Sequence, residues 1–171
     1  VSNGKVVASR YFLNIAGFGF DASVIKTTKD QKSTRFPSLV YILALLKTLF
    51  TYRSFYTEII SSEKNLSAHL FTLAVGICQY NGNGMKQSPN AHPQDGLFDV
   101  VAIRNLSILK VLTNVHRLFS GKHIYLKEVT QFRTNELSIS ANEQMLGEVE
   151  GELLAIGDYK IHILPKAIQL F

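Results

Sequence analysis

Three carboxylates crowd five residues, Glu148-Val149-Glu150-Gly151-Glu152. In a regular strand, side chains at i, i+2 and i+4 share one face. Acids so placed repel one another and favour protonation of at least one, a setting that suits a general base or a cation site. Gly151 can bulge the strand and re-aim Glu152. The same spacing also suits an exposed acidic strand end, since carboxylate clusters mark sites only as a tendency. A second group, His92-Pro93-Gln94-Asp95-Gly96-Leu97, sets a carboxylate in an Asp-Gly turn. Such a turn can gather carboxylate and carbonyl oxygens around one point, the donors that Mg2+ or Ca2+ prefers. It equally serves as an ordinary turn.

Other chemistries find no support. His69, His92, His116, His123 and His162 lack the spacing of a metal set. There is no Gly-x-x-x-x-Gly-Lys-Ser/Thr loop, no Gly-x-Ser-x-Gly elbow and no aromatic-interleaved RNA-binding signature, so no nucleic-acid partner is expected. Cys78 is the only cysteine, which excludes a disulfide framework and suits a reducing, cytoplasmic setting. Within Leu73-Ala74-Val75-Gly76-Ile77-Cys78 it reads as a small buried hydrophobe.

These groups need a folded frame. The chain has 171 residues, 46% hydrophobic and 18% charged, enough for a sizeable core and one domain spanning 1–171. The net charge of +5 is uneven. Residues 22–53 carry Lys26, Lys29, Lys32, Arg35, Lys47 and Arg53 against Asp30 alone. Residues 104–133 carry Arg104, Lys110, Arg117, Lys122, Lys127 and Arg133 against Glu128 alone, whereas 136–158 are acidic. Basic surface suits anionic phospholipid or phosphate, and it also suits plain solvation. The first residue is Val1 and no secretory signal follows, so an upstream part is expected to be missing.

Residues 9–15 read as a buried strand, 16–21 as a glycine turn and 26–34 as a polar basic segment. Pro37 opens a helix with Leu39, Ile42, Leu43, Leu46, Leu49 and Phe50 at helical spacing. Its apolar run is too short to span a bilayer. Strands are expected near 54–61, 68–78 and 97–103, with a long loop from Tyr80 to Gly96 that holds two Asn-Gly pairs, Asn81-Gly82 and Asn83-Gly84. Ser107 caps a second helix that Gly121 ends. Short strands fill 127–171, with turns at Asn135, Asn142, Gly147, Gly151, Gly157 and Asp158. This order predicts a mainly β fold, an antiparallel β-sandwich with two inserted α-helices.

Four stretches in order resemble the diacylglycerol kinase and sphingosine kinase family of lipid kinases. They are Phe12 to Ala22, with Asn14-Ile15-Ala16-Gly17-Phe18-Gly19-Phe20-Asp21; Arg35-Phe36 with the following helix and Thr51-Tyr52-Arg53; Asn81-Gly82-Asn83-Gly84-Met85 with Pro89-Asn90-Ala91 and Asp95-Gly96-Leu97-Phe98-Asp99-Val100; and Glu150-Gly151-Glu152 ahead of Ile163-Leu164-Pro165-Lys166-Ala167. The family's Gly-Gly-Asp-Gly-Thr motif for ATP phosphates is absent, so the resemblance is to the C-terminal, lipid-holding domain alone.

The resemblance implies an ATP-dependent kinase acting on a lipid hydroxyl, diacylglycerol-like, with a sphingoid base or a non-catalytic lipid-binding sandwich as alternatives. It implies Glu152 as the general base and Asp21 and Asn14 as contacts to the lipid head group. It also implies a structural Mg2+ held by the Asp95 side chain with the backbones of His92 and Leu97. Glu150 stands where the family has aspartate. The expected partners are the lipid, ATP, a nucleotide-binding domain and an anionic membrane surface. The place is the cytoplasm, peripheral to the inner face of the membrane, and this chain alone is expected to be inactive.

Overall fold

The computed structural model describes residues 8–29, 37–82, 84–141 and 145–168, with the backbone alone at 37–42. Expectations at Lys32, Arg35, Phe36, Asn83 and Asn142, and for the side chains of Leu39 and Ile42, lie outside the described residues.

Among the described residues, nine antiparallel strands form one curled sheet. They are β1 (Ile15–Gly19), β2 (Phe55–Ser61), β3 (Leu66–Gly76), β4 (Phe98–Arg104), β5 (Val129–Thr134), β6 (Glu136–Ala141), β7 (Gly147–Val149), β8 (Glu152–Leu153) and β9 (Tyr159–His162). The order is β8-β7-β1-β3-β2-β6-β9, with β4 joining β3 to β5. The long strand β3 is the hub. Leu66 to Leu70 pair with β2, Thr72 to Gly76 pair with β1, and β4 runs beside the second half with a register shift between Leu70 and Thr72. A strand that changes partners at an irregularity bends, and the bend curls the sheet into sandwich-like layers.

The main core lies inside the curl, around Phe18, Leu73, Val75, Val100, Ile59 and Ile139. The opposite face of the central strands is covered too. Ile15, Ala74 and Val101 pack with Ile124 and Val129, and Phe71 packs under helical residues Phe20, Val24 and Leu49. Strands buried on both faces lose the alternation of apolar and polar residues.

The helices are α1 (Phe20–Lys29), α2 (Pro37–Thr51), α3 (Ile108–Asn114) and α4 (His116–Ser120), with a 3-10 turn at Lys122–Tyr125. The insertions expected after Pro37 and Ser107 are both present. Ser107 accepts the Lys110 N–H, and Gly121 ends the second insertion in a left-handed conformation, φ 71. The stretch read as glycine turn and basic segment differs: its glycines form β1, the strand begins at Ile15, and α1 follows without a loop. Gly147, expected in a turn, lies in β7, where an added Cβ would stand 2.8 Å from the Phe18 ring. Cys78 is half-exposed just past β3, not buried, and its Sγ lies 3.5 Å from the Leu13 carbonyl. Among the described residues no helix is long and apolar enough to cross a membrane.

Candidate functional site

A cavity of about 480 Å3 lies on the helical side of β3 and β4. That volume suits a small-molecule or acyl ligand. Its walls are apolar, formed by Phe20 and Val24 of α1, Phe71 of β3, Val101 of β4, and Val111 and Leu118 of α3 and α4. Asp21, Glu148, Glu150 and Gln87 also line it and form its polar end.

Backbone pairing assembles that end. Gly17 of β1 stands opposite Glu148 of β7, and Asp21 lies in the first turn of α1 directly after β1. Gly17 has no side chain because the carboxylates occupy the space: an added Cβ would sit 2.7 Å from Glu148 Oε1 and 3.4 Å from Asp21 Oδ2. Glu148 is 3% exposed, and its Oε2 accepts the Gly151 N–H at 2.9 Å. Burial, then the charges of Asp21 and Glu150, push its carboxyl up to about 7 against the pull of that hydrogen bond. Asp21 is raised as well, by burial first, while bonds from Thr72 and Gln87 oppose the rise. Gln87 Nε2 donates to Asp21 Oδ2 at 2.9 Å, and Asn81 Nδ2 donates to Gln87 Oε1 at 3.0 Å, so the long loop braces the acid. His123, 4% exposed, lines the cavity with Nε2 3.2 Å from the Gln87 carbonyl, and burial lowers its pKa, leaving it neutral at pH 7. Tyr52 is raised by burial and by Asp21, and its hydroxyl lies 2.6 Å from where Gly19 would carry a Cβ.

Crowding at Gly17 gives a direct test. Gly17→Ala is expected to cost about 1–3 kcal/mol, the usual range for overpacking. Adding Glu148→Ala should recover part of the loss, because the methyl group then has room. Denaturant midpoints of the two variants measure this, and an unchanged midpoint in Gly17→Ala would refute the crowding.

The three glutamates do not share a face, which corrects the regular-strand reading. Glu150 (φ 52) and Gly151 (φ 78) form a two-residue turn between β7 and β8, with Val149 paired to Glu152 and Glu148 to Leu153. Paired residues lie on the same side of a hairpin, so Glu148 and Glu152 point to opposite sides. Glu150 turns back to accept the Leu13 and Asn14 N–H groups at 3.1 and 2.9 Å, which fixes the segment entering β1. Glu152 is exposed and paired with Arg10 at 2.6 Å, just past the turn whose Glu150 and Gly151 line the cavity. Asn14 is outside the cavity lining; its carbonyl accepts from Ile77 and Cys78.

Asp95, His92 and Leu97 do come together, as an Asp-Gly turn. Asp95 N–H donates to the His92 carbonyl at 3.3 Å, Oδ1 accepts the Leu97 N–H at 2.9 Å, and Oδ2 is held by Arg133. A guanidinium on the carboxylate opposes a divalent cation at the same oxygens. The donor set as arranged therefore fits Arg133 and not Mg2+. No group of three His, Cys, Asp or Glu able to hold a metal occurs among the described residues.

The sequence singles out Glu148 only as one of three clustered acids, and nothing in its pattern marks Gln87 or His123 as site residues. Glycines inside an apolar strand, Gly17 and Gly19, were the available signal, since they mark close approach of other groups.

The architecture is an antiparallel, sandwich-like sheet whose helical side encloses an apolar cavity with acids at one end. The model of the family described as YegS C-terminal NAD kinase beta sandwich-like domain matches residues 14–171, and the chain belongs to that family. A Bacillus subtilis protein named "Putative lipid kinase YtlR" is 26% identical over 172 residues, covering 94% of this chain and 54% of that protein. The Bacillus subtilis "Diacylglycerol kinase" is 23% identical over 146 residues, covering 85% and 48%. A crystal structure titled as a diacylglycerol kinase from Bacillus anthracis superposes with a TM-score of 0.58 at 17% identity, covering 90% of this chain and 47% of that one, which shows the shared fold. The chain spans about half the length of the curated relatives it matches. Those names support a lipid kinase family.

Proposed function

We propose that this chain is the substrate-binding part of an ATP-dependent lipid kinase that phosphorylates a hydroxyl of a diacylglycerol-like lipid at the cytoplasmic face of a membrane. The observation that carries the reading is the cavity, apolar along α1, β4 and α3 and acidic at one end. Each acyl methylene taken from water into such a wall contributes about 0.8 kcal/mol. The glycerol head then meets Asp21, Gln87 and Glu148. A protonated Glu148 can donate to an ester or hydroxyl oxygen, and a carboxyl oxygen of Asp21 can accept from a hydroxyl.

Glu152 is the proposed proton acceptor. It projects into solvent beyond the Glu150-Gly151 turn, where a second domain carrying ATP and its Mg2+ can reach the head group. The lipid oxygen attacks the γ-phosphorus, its proton passes to Glu152, and ADP leaves. Positioning and charge stabilisation supply most of the catalysis in such transfers. A sphingoid base is the second reading, favoured by the acids at the polar end, which suit an ammonium group.

Lipid extraction from the purified full-length protein, mass spectrometry and a kinase assay on what co-purifies test this. The expected result is a diacylglycerol-class lipid that becomes phosphorylated with ATP. A phosphorylated long-chain amine would favour the second reading, and a bound lipid that is never phosphorylated would contradict a kinase.

A further inference from the structure

Helices α3 and α4 bury none of their residues. One face of the pair, Val111, Asn114 and Leu118, walls the cavity. The other carries Leu109, Leu112 and Phe119, which are 71%, 45% and 53% exposed, while Val115, 44% exposed, lies between the two faces and also lines the cavity. Val115 keeps helical angles (φ -55, ψ -34), so these positions form one stripe across the junction. Tyr125, 79% exposed, follows in the 3-10 turn. A helix apolar on both faces belongs inside a core or against lipid. The surroundings are basic: Lys122 and Lys127 are exposed, Arg117 is half-exposed, and none of the three makes an ion pair among the described residues. Glu128, the one acid of residues 104–133, is taken by Lys110.

We infer that the outer face of α3 and α4 inserts into the surface of an anionic phospholipid bilayer, so that the cavity behind it draws its ligand straight from the membrane. Leucine and phenylalanine enter the acyl boundary, and Tyr125 suits the interface, where one end of a ring is apolar and the other wet. Arg117, Lys122 and Lys127 meet the lipid phosphates, each basic group near such a surface adding about 1 kcal/mol. A neutral apolar protein surface would leave those charges unmatched. Continuity with the cavity wall favours the same occupant, since Val111, Asn114 and Leu118 of the same helix pair line the cavity. The membrane contact stands on these residues; the delivery of substrate rests on the lipid-kinase reading.

The chain has no tryptophan, so Phe119→Trp is a silent-background reporter. On vesicles of equimolar phosphatidylglycerol and phosphatidylcholine its emission should move to the blue and be quenched by brominated acyl chains. On phosphatidylcholine alone the change should be much smaller. Ile60→Trp, on β2 at a position 57% exposed, should not shift. Leu109→Ser with Leu112→Ser in the Phe119→Trp background should weaken partitioning by about tenfold or more. Both leucines are exposed and outside the cavity lining, so melting should hold. Aqueous emission from Phe119→Trp on anionic vesicles, or an equal shift in Ile60→Trp, would overturn the inference. Insertion with no lipid ever phosphorylated by the full-length protein would keep the surface and sink the kinase. Phosphorylation of detergent-dispersed lipid without insertion would do the reverse.

Discussion

Glu152→Gln in the two-domain enzyme is expected to lower kcat by roughly 10²–10⁴-fold, the scale of a lost general base. A lipid hydroxyl is a poor nucleophile at neutral pH, and the proton must leave as the new P–O bond forms. Gln keeps the shape of the side chain and cannot take that proton. The fold should be indifferent: Glu152 is exposed, and its partner Arg10 is also exposed. Surface ion pairs of this kind contribute about 0–1 kcal/mol. Lipid binding and melting temperature should therefore change little. Glu148→Gln, which alters a head-group contact and not the acceptor, should reduce kcat far less. Steady-state turnover of the two variants separates the roles, and a well-folded Glu152→Gln enzyme with near-parental kcat would remove Glu152 from the proton path.

Glu148→Gln should instead change how stability depends on pH. Glu148 ionises near its ordinary 4.5 in the unfolded chain and at about 7 in the folded one. Between those values the folded state holds a proton that the unfolded state has lost, so stability falls as pH rises through the window. Above the folded value both states are ionised and the full penalty remains. At about 1.4 kcal/mol per pH unit the penalty is about 3 kcal/mol. The variant lacks it. Parent and variant should be similarly stable near pH 4, and the variant should gain steadily until about pH 7. Asp21, raised in the same direction, and His123, lowered, stay in both proteins, and because Asp21 is coupled to Glu148 by charge the difference between the two curves reports Glu148 together with its effect on Asp21. Urea unfolding across that range gives the curves, and a difference that stays flat with pH would show that Glu148 titrates alike in the folded and unfolded chain.

Much of the frame was legible because local signals agreed. The strands near 54–61, 68–78 and 97–103 appear as Phe55–Ser61, Leu66–Gly76 and Phe98–Arg104, and helices start at Pro37 and after Ser107. The site was harder, for physical reasons. Gly17 and Gly19 weaken a strand on propensity, so 16–21 reads as a turn until the groups crowding its glycines are seen. The Glu148 to Glu152 stretch fails as a regular strand because Glu150 adopts a positive φ that only neighbouring contacts make tolerable, here its bonds to Leu13 and Asn14. Asp21 and Glu148 meet through the pairing of β1 with β7, a long-range register that no local pattern announces. Asp95 was legible as a turn, but its partner Arg133 arrives from β5, which pairs with β4.

On the proposed function, the cavity holds the lipid's acyl chain. Photo-cross-linking tests it most directly: full-length protein, a diacylglycerol with a diazirine in one acyl chain, irradiation, and peptide mapping. Cross-links are expected within Phe20 to Ile25 and within Leu106 to Leu118, segments that contribute to the cavity lining, and they should be lost under excess unlabelled diacylglycerol. Cross-links confined to β2, β6 and β9, or labelling that excess diacylglycerol does not displace, would contradict it.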